Sequence, residues 1–493
     1  MTAPEMHLLP TLLPFETGSE SPIHPLPEGY LPRDKRKKIL LLSDDLRMPS
    51  GVGTMSREMV VGTAHRYNWV QLGAGVNHPE MGKMLEASDS LSKDLGIPDA
   101  YLHIYPYNGY GDPGMIRFLL MQEKPDAILH FTDPRYWIWL YHMEAEIREA
   151  IPIMFYHIWD DLPYPKYNEN FYRSCDFISC ISKQTYNIVK QVWQKEPKWQ
   201  PWQIQYNAHG VNPNMFKRIA DDDVEGQKVI TEYRSKMFRG QEVDFVVYYN
   251  NRNIRRKMTG DVVLAYQKFI RSLPKDKADR CRLVMHTQPI DDNGTDLFAV
   301  FRDVAPDVKF VFSEARIPPN LLNVEYNCVD VVINMASNEG FGLSNLEAMM
   351  TERLTIANVT GGLQDQMGFM DEHGALLDED KHFCKEWGSN HDGKYKNHGE
   401  WVLPVFPNNL SLNGSPPTPY IFDDRCDWRE VAEKLREAYE LIPEERRRRG
   451  KLAREYAVNN GFTSAAMSKR FIEGFDATFA NWKPRPRFGI YKG

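Results

Sequence analysis

The sequence predicts an α/β protein built from two Rossmann-like domains in tandem that face each other across a cleft. Two series of short apolar segments, the second beginning near residue 243, alternate with polar and helical sequence. Several of these segments end in acidic residues, which is typical of a buried parallel strand reaching the edge of its sheet. The alternation indicates repeated βαβ units with helices on both faces of a parallel sheet. The length of 493 residues agrees with two domains, because one hydrophobic core rarely serves so long a chain.

The first series follows a proline-rich arm, residues 1–35, and we expect its domain to span 36–215. Its strand candidates are ILLLSDD (39–45), YNWVQLG (67–73), PDAILHFTD (125–133), IPIMFYHIWDD (151–161) and DFISCIS (176–182). Polar or helical sequence separates each candidate from the next. This half therefore predicts one parallel sheet.

The second series supplies another sheet, in a domain expected to span 240–462. Its strand candidates are EVDFVVYYNNR (242–252), CRLVMHTQ (281–288), VKFVFSE (308–314), VDVVINMAS (329–337) and RLTIANV (353–359). Amphipathic helices are predicted at 260–273, 426–442 and 465–482. The last of these belongs to a terminal segment, 463–493, that we expect to pack back on the first domain.

Two segments interrupt this pattern. Polar, charged sequence around 217–242 is interpreted as the connection between the domains. Residues 378–419 are rich in glycine, asparagine and proline with weak periodicity, which predicts a long excursion within the second domain.

Composition argues against several function classes. The chain is 42% hydrophobic and 26% charged, as globular proteins are, and its net charge of −7 gives no general attraction to nucleic acid or anionic membranes. No apolar run approaches the roughly 18 residues of a membrane helix. The six cysteines show no metal-ligand spacing, so we interpret them as reduced thiols of a cytoplasmic protein and expect no metal site.

The stretch NMASNEGFGLSNLEAMM (334–350) is the strongest functional signal, because ligands of open α/β sheets bind beyond the carboxyl ends of strands. Gly340 and Gly342 permit close approach to an anion, and a helix beginning near Ser344 adds its positive end. This combination suits a phosphate or diphosphate. Glu347 has two interpretations: its carboxylate accepts hydrogen bonds from a sugar diol, or it completes a capping box with Ser344.

Three other strand-to-helix loops carry polar residues that suit the same ligand. The cations from Arg252 to Lys257 either neutralise a diphosphate or form a solvated basic turn. The turn containing Gly51 and Gly53 lacks both the full GxGxxG pattern and a P-loop lysine, which disfavours a plain dinucleotide-binding protein or ATPase. His157, after IPIMFY, either contacts a hydroxyl group or has a structural role.

Taken together, these stretches resemble glycosyltransferase family 4, whose members have the GT-B fold. The resemblance runs from about residue 38 to 475, and its motifs occur in the family's order and spacing. They are the glutamate pair Glu339 and Glu347, the Arg-x4-Lys clamp Arg252 and Lys257, the segment His209–Phe216, the glycine-rich loop with Gly51 and Gly53, His157, and Gly361–Gly362. Met350–Leu354 departs from the family's usual small-residue turn.

The resemblance implies a retaining, metal-independent transfer of a sugar from a nucleotide-diphosphate donor, UDP- or GDP-linked, to a hydroxyl group. It implies that Arg252, Lys257 and the amides near Gly342 stabilise the leaving diphosphate. Glu347 would hold the ribose and Glu339 the donor sugar, with His157 near the anomeric centre. The remaining donor-binding residues would be Gly340, Phe341, Leu343, Ser344, Gly51 and Gly53. No permanently bound cofactor is expected.

Other functions stay open. A glycoside hydrolase would use paired carboxylates but would not explain the diphosphate loops. A GT-B sugar-nucleotide epimerase and a non-catalytic nucleotide-sugar-binding protein are the alternatives to a transferase. The acceptor is a saccharide or small glycoside, or else a nucleic acid with a hydroxylated base. The basic clusters Lys35–Lys38, Arg446–Arg449 and Lys483–Arg487 and the aromatic run Tyr136–Trp139 motivate the second acceptor. No integral membrane association is expected, and the oligomeric state is left open.

Overall fold

The computed structural model describes residues 26–313, 317–383, 390 and 392–485. Residues 1–25 of the predicted proline-rich arm and residues 486–493 of the terminal segment lie outside the described residues. The described part contains two large sheets, whose neighbouring strands are parallel with one exception, and a separate two-stranded hairpin. The predicted α/β class with two Rossmann-like sheets is therefore confirmed.

The first sheet is formed by β1 (Lys37–Asp44), β2 (Tyr67–Ala74), β3 (Leu85–Glu86), β4 (Leu102–Pro106), β5 (Ala127–Phe131), β6 (Ile153–His157), β7 (Phe177–Cys180) and β8 (Ile204–Tyr206). The second is formed by β9 (Phe245–Asn250), β10 (Cys281–His286), β11 (Phe310–Phe312), β12 (Val331–Asn334), β13 (Leu354–Asn358) and β14 (Val402–Val405). The hairpin consists of β15 (Asn409–Ser415) and β16 (Thr418–Arg425).

The helices of the first half are α1 (Gly51–Thr63), α2 (Ser88–Leu95), α3 (Pro113–Glu123), α4 (Ile138–His142), α5 (Glu144–Ile147), α6 (Glu169–Arg173) and α7 (Lys183–Val192). Those of the second half are α8 (Val224–Met237), α9 (Thr259–Arg271), α10 (Lys275–Ala278), α11 (Leu297–Ala299), α12 (Pro319–Asn327), α13 (Leu343–Met350), α14 (Leu363–Gln366), α15 (Trp428–Glu440), α16 (Pro443–Asn459) and α17 (Ser464–Asn481). A 3₁₀ turn, Arg255–Lys257, follows β9.

Both sheets have a topological switch point. The strand orders are β3-β4-β2-β1-β5-β6-β7-β8 and β11-β10-β9-β12-β13-β14. All neighbouring strands are parallel except β3 and β4. The direction of winding reverses between β1 and β5 and between β9 and β12, and ligands of such sheets bind in the crevice at that point. The loops after these four strands are therefore where a site is expected.

The central strands are buried because helices cover both faces of each sheet. The residues from Ile39 to Leu42 in β1 are all 0% exposed, as an uninterrupted apolar run in a parallel strand requires. The sequence identified β1, β2, β5, β6 and β7 in the first half and β9 to β13 in the second. It missed β3, β4, β8 and β14 of the two sheets and the hairpin strands β15 and β16. Of these, β3, β8 and β14 lie at sheet edges, where pairing with one neighbour makes a short segment a strand.

The chain crosses between the two halves several times. Helix α17 packs on the first sheet, where Tyr67 donates a hydrogen bond to Asp476 at 2.7 Å. The predicted excursion, 378–419, contains β14 and β15, so part of it is regular structure.

Among the described residues no helix has the length and apolar character needed to cross a bilayer. The described residues also contain no group of three or more His, Cys, Asp or Glu side chains suited to a metal ion.

Candidate functional site

The turn between β12 and α13 leaves the N-terminus of α13 open to the crevice. Gly342, its N-cap residue, has a φ of +92°, a conformation that favours glycine. A β-carbon at this position would lie 2.5 Å from Cδ2 of Leu363. No described side chain caps α13, so Ser344 and Glu347 do not form the capping box that the sequence left open. The first amides of the helix are therefore suited to bind an anion.

Glu347 lies on the second turn of α13 and contacts a tyrosine. The hydroxyl of Tyr326 donates to Oε2 of Glu347 at 2.7 Å, and Nδ2 of Asn250, at the end of β9, donates to that hydroxyl at 2.9 Å. Burial raises the pKa of Glu347 to about 7. A half-buried carboxylate at the carboxyl edge of the sheet is suited to accept hydrogen bonds from a diol.

Glu339, in the loop after β12, forms an ion pair with Lys257, the last residue of the 3₁₀ turn after β9. Nη1 of Arg256 lies 3.9 Å from the same carboxylate and donates to the backbone oxygen of Asn338 at 2.7 Å. Burial lowers the pKa of Lys257 to about 8. Burial alone would raise the pKa of Glu339, but Lys257 and Arg256 hold it below its usual value.

Arg252, the other cation of the predicted clamp, has a different partner. Its Nε donates to Oδ2 of Asp291 at 2.8 Å, and its side chain is 62% exposed. Thus the structure brings Arg256, rather than Arg252, to Lys257 and Glu339. A diphosphate would have to draw Arg252 away from Asp291 to engage it.

The first domain contacts this cluster through the loop after β6. A β-carbon on Gly340 would lie 2.9 Å from Cδ1 of Ile181 and 3.0 Å from the backbone oxygen of Ile158. The side-chain amide of Asn338 donates to the carboxylate of Asp161. Burial raises the pKa of Asp160 to about 6, with Arg256 opposing the shift and Glu339 adding to it. Carboxylates from both domains therefore meet beside the glycine turn.

His157 ends β6 but is buried in the first-domain core. Its Nε2 lies 2.9 Å from the hydroxyl of Tyr172, and its ring packs against Phe155 at 4.7 Å between centroids. Burial lowers its pKa well below the usual value, so the ring is neutral. Its Nδ1 is buried without a hydrogen-bond partner in the described part of the chain. Because this nitrogen is enclosed by the protein, contact between His157 and a substrate hydroxyl group stays a prediction.

The predicted glycine-rich loop of the first domain faces the turn of the second. A β-carbon on Gly51 would lie 3.7 Å from Cδ1 of Leu343. Gly53 is packed more tightly, since a β-carbon there would lie 2.6 Å from the backbone oxygen of Met48. Ser50 caps α1 by accepting a hydrogen bond from the amide of Gly53 at 3.0 Å. The two glycine turns thus lie opposite each other.

Phe341 and Ser344, at the turn between β12 and α13, contact neighbouring side chains. Phe341 is 2% exposed and meets the ring of His209 edge-on at 5.5 Å. His209 in turn bonds the hydroxyl of Tyr156 through Nδ1 at 2.7 Å. The backbone oxygen of Ser344 accepts from Tyr326 at 3.1 Å. The side chain of Phe341 therefore helps to join the domains.

The hairpin reaches from the second domain to the first and covers the same loops. The amide of Phe422 donates to the backbone oxygen of Leu162 at 2.6 Å, and Asn338 donates to that of Phe422 at 2.6 Å. The Tyr167 hydroxyl donates to the backbone oxygen of Tyr420 at 2.8 Å, and their rings pack at 4.8 Å. The hairpin is thus a strap across the cleft.

Sequence reasoning gave no role to three residues of this site, namely Asp160, Asn338 and Tyr326. It named Arg256 only as one of the cations between Arg252 and Lys257. Arg256 and Asp160 were visible as charges in loops already singled out. Asn338 is adjacent to Glu339, but its bonds to Asp161 and the hairpin depend on residues distant in sequence. No local signal marked Tyr326, which lies inside α12.

Comparisons with known proteins identify the fold. No protein-family model matches the chain, and no curated protein has a detectably similar sequence. HepE from Anabaena, crystallised with UDP and glucose, matches with a TM-score of 0.61 and 13% identity over 90% of this chain and 100% of its own. Sucrose-phosphate synthase from Thermosynechococcus elongatus matches with 0.61 and 15% over 90% and 100%. A glycosyltransferase from Rickettsia africae matches with 0.57 and 15% over 91% and 100%. These likenesses show the GT-B fold.

Proposed function

We propose that this protein is a retaining glycosyltransferase that moves a sugar from a nucleotide-diphosphate donor to an acceptor hydroxyl group. The carrying observation is the cluster of Lys257, Arg256 and Glu339 beside the uncapped N-terminus of α13. Cations and free amides at such a place are suited to bind a diphosphate. The fold shared with a solved glycosyltransferase supports this function. The order of the motifs supports membership of glycosyltransferase family 4.

Each end of the donor has a candidate partner in this proposal. Glu347 accepts hydrogen bonds from the ribose hydroxyls, while the backbone from Gly340 to Ser344 surrounds the phosphates. Glu339 contacts the donor sugar, and His157 contacts a sugar hydroxyl group near the anomeric centre. Gly51 leaves room beside Leu343 for the diphosphate, and Gly53 allows the tight turn that places Gly51 there. UDP-glucose is the first donor to test, because HepE was crystallised with it, and a GDP-sugar is the alternative.

The chemistry follows from charge placement. The bond between the anomeric carbon and the β-phosphate oxygen breaks as a bond to the acceptor oxygen forms on the same face. The acceptor's proton passes to the departing diphosphate, so neither a protein nucleophile nor a metal ion is needed. Lys257, Arg256 and the amides of α13 stabilise the negative charge that grows on the leaving group. Arg252 joins them once it leaves Asp291.

The acceptor proposed is a saccharide or glycoside. The basic run Lys35–Lys38 includes the first two residues of β1, so it lies at the amino edge of the sheet, away from the crevice. Lys37 and Lys38 are paired with Asp126 and Glu123 at 2.8 Å and 3.1 Å. Arg446–Arg449 also have carboxylate partners. These clusters therefore offer few free cations to a nucleic acid. The described cysteines are buried and form no disulfide bond, which supports a location in the cytoplasm for this protein.

A sugar-nucleotide epimerase is the second candidate, favoured by the position of Asp160. Its carboxyl group lies close enough to Glu339 for the charge of that residue to raise its pKa, which is about 6. A carboxyl group with such a pKa suits a general acid or base. Incubation of the protein with UDP-glucose and no acceptor separates the two functions. An epimerase would accumulate a second UDP-hexose, whereas a transferase would leave the sugar unchanged or release it slowly to water.

Thermal-shift measurements with UDP, GDP, ADP, TDP and their common sugars test the proposal directly. A nucleotide at 100 times its Kd should add about 2.7 kcal/mol to the free energy of unfolding. One responsive nucleotide defines the donor class. If none shifts the melting temperature, and saturating acceptor does not restore a shift, the protein does not bind nucleotide sugars.

A further inference from the structure

Opposite the candidate donor site, the carboxyl edge of the first sheet carries an acidic residue. Asp44 is the last residue of β1, at the switch point between β1 and β5. The hydroxyl of Ser50 donates to Oδ2 of Asp44 at 2.9 Å. Ser50 directly precedes Gly51, which faces Leu343 of the donor turn. Asp44 is thus one hydrogen bond away from the loop that opposes the phosphates.

Two stacked tyrosines lie beside Asp44. The rings of Tyr110 and Tyr136 are 4.5 Å apart between centroids and inclined by 12°. Tyr136 is 58% exposed, which leaves a ring available to solvent. A β-carbon on Gly75 would lie 3.7 Å from Oδ1 of Asp44 and 3.8 Å from the hydroxyl of Tyr110. The carboxylate and the phenol therefore converge above Gly75, at the base of an aromatic platform.

This combination suits a neutral, hydroxylated ring. The apolar face of a sugar packs on an aromatic ring, and its hydroxyl groups donate to a carboxylate. Burial, and to a lesser extent Asp44, raise the pKa of Tyr110 to about 12. Its hydroxyl therefore stays protonated and can serve as a donor as well as an acceptor. Aromatic side chains with a few convergent polar groups are typical of the lining of a small-ligand site.

The cations of the neighbouring loops are already engaged. Arg47, in the loop after β1, binds Asp45 through two hydrogen bonds of 2.8 Å and 2.6 Å. Arg135, after β5, binds Asp133, Asn168 and the backbone oxygen of Pro417. Both arginines already have a carboxylate partner, so a phosphate would have to displace Asp45 or Asp133 to pair with them.

The lysine of the loop after β2 lies at a distance from this point. Lys83 lies two residues before β3, and β3 is separated from β1 by β4 and β2. A phosphate group placed beside Asp44 would therefore meet a carboxylate without a free cation from these loops. The electrostatics oppose a phosphorylated acceptor.

We propose that Asp44, Tyr110 and Tyr136 form the acceptor subsite of this protein and that the acceptor is an uncharged sugar or glycoside. The proposal rests on the transferase function above. Tyr136 stacks on the acceptor ring, and Asp44 accepts a hydrogen bond from one of its hydroxyl groups. The subsite selects against sugar phosphates and nucleic acids because both bring negative charge to Asp44.

The experiment uses the full-length protein and the nucleotide that shifts its melting temperature. Maltose, methyl glucoside, glucose 6-phosphate and a DNA oligonucleotide with a hydroxymethylated base are titrated calorimetrically into the nucleotide-bound protein. Sugar transfer to each probe is measured in parallel. Tyr136→Ala and Asp44→Asn are compared with Tyr136→Phe, which keeps the ring. Phe118→Ala is the matched control, because Phe118 is 44% exposed on α3 in the same domain.

We expect a neutral sugar to bind and to accept the donor sugar. Tyr136→Ala and Asp44→Asn should each raise its KM about tenfold or more, equivalent to the loss of one good contact. The nucleotide should still bind to both variants, because the proposed diphosphate contacts of Lys257, Arg256 and α13 are left in place. Tyr136→Phe and Phe118→Ala should behave like the unaltered protein.

Three results would overturn the subsite while leaving the transferase function intact. They are preference for the sugar phosphate or the oligonucleotide, binding of no neutral probe, and unchanged KM in Tyr136→Ala and Asp44→Asn. Donor binding and donor hydrolysis report on the proposed function separately. If no nucleotide binds at all, the transferase proposal fails and the subsite with it.

Discussion

The ammonium group of Lys257 and the carboxylate of Glu339 form a buried ion pair between the loops that follow β9 and β12. These two strands flank the switch point of the second sheet, so the pair lies where a donor's diphosphate and sugar would meet. Each group serves as the other's counterion in the absence of a ligand. Donor binding would exchange this contact for bonds to phosphate and to sugar hydroxyl groups.

Lys257→Ala should reduce turnover by about 10²–10³-fold, because one group that stabilises the leaving charge is lost. It should also lower the free energy of unfolding by about 3 kcal/mol, since Glu339 would keep only the more distant Arg256. Combining Lys257→Met with Glu339→Gln should recover most of that stability without recovering turnover. Urea unfolding and steady-state kinetics measure the two effects. Normal turnover in Lys257→Ala would remove this lysine from the reaction.

Donor affinity should be highest between about pH 7 and pH 8. Below this range Glu347, with a pKa of about 7, takes up a proton and loses acceptor capacity for the ribose. Above it Lys257, with a pKa of about 8, loses the charge that attracts the diphosphate. Calorimetric Kd values from pH 5.5 to 9.5 would show both losses of affinity, an acidic limb below about pH 7 and a basic limb above about pH 8. Glu347→Gln should remove the acidic limb only, and an unaltered acidic limb would exclude Glu347 from donor binding.

The same two groups make opposite contributions to stability. The folded-state pKa of Glu347 is raised from 4.5 to about 7, so the folded protein binds its proton more tightly. Stability should therefore fall as pH rises from about 4.5 to 7. The pKa of Lys257 is lowered from 10.5 to about 8, so stability should rise as pH rises from about 8 to 10.5. Urea unfolding at a series of pH values measures both effects. The fall in stability between about pH 4.5 and 7 should be smaller in Glu347→Gln, and the rise between about pH 8 and 10.5 should be smaller in Lys257→Met.

Gly340→Ala should prevent the domains from meeting closely. Its new β-carbon would lie within 3.0 Å of Ile158 and Ile181 in the other domain, so the donor KM should rise about tenfold. Gly260→Ala is the matched control, because no atom lies within 4 Å of a β-carbon in that first turn of α9. The control should gain up to about 1 kcal/mol in stability and keep full activity. X-ray scattering should show a larger radius for Gly340→Ala, and an unchanged radius with normal KM would contradict this account.

Tyr420→Ala should loosen the strap. The variant loses the ring contact with Tyr167 and the bond from the amide of Lys166 to the tyrosine hydroxyl. Limited proteolysis between residues 409 and 425 should accelerate, and kcat should fall several-fold. Leu412→Ala, in the same hairpin but 63% exposed, should change neither. Equal proteolysis of the two variants would show that this contact does not hold the hairpin.

The pairing of Arg252 with Asp291 predicts a gain of affinity. Asp291→Asn should release Arg252 toward the diphosphate and lower the donor Kd several-fold. Arg252→Ala should raise the donor Kd and abolish the effect of Asp291→Asn in the double variant. Titration calorimetry with the bound nucleotide gives all three values. Additive effects in the double variant would mean that Asp291→Asn does not act through Arg252.

The sequence by itself determined the architecture and the position of the candidate site. Apolar runs such as ILLLSDD and VDVVINMAS are buried strands because helices cover both faces of a parallel sheet. The glycines of EGFGLSNLE identified the turn, since the φ of Gly342 and its contact with Leu363 exclude a side chain. The apolar strands and the glycine turn are marked by residues that are close together in the sequence, so they could be predicted from it.

Only the tertiary structure decided which charged side chains meet. Arg252 and Arg256 are equivalent in the sequence, yet one binds Asp291 and the other approaches Glu339. The side chain of His157 lies in a core that local sequence does not define, and the hairpin bonds with loops of the other domain. Loop side chains take their direction from partners dozens to hundreds of residues away. Local sequence therefore specifies which charges are present, and the fold specifies which of them form pairs.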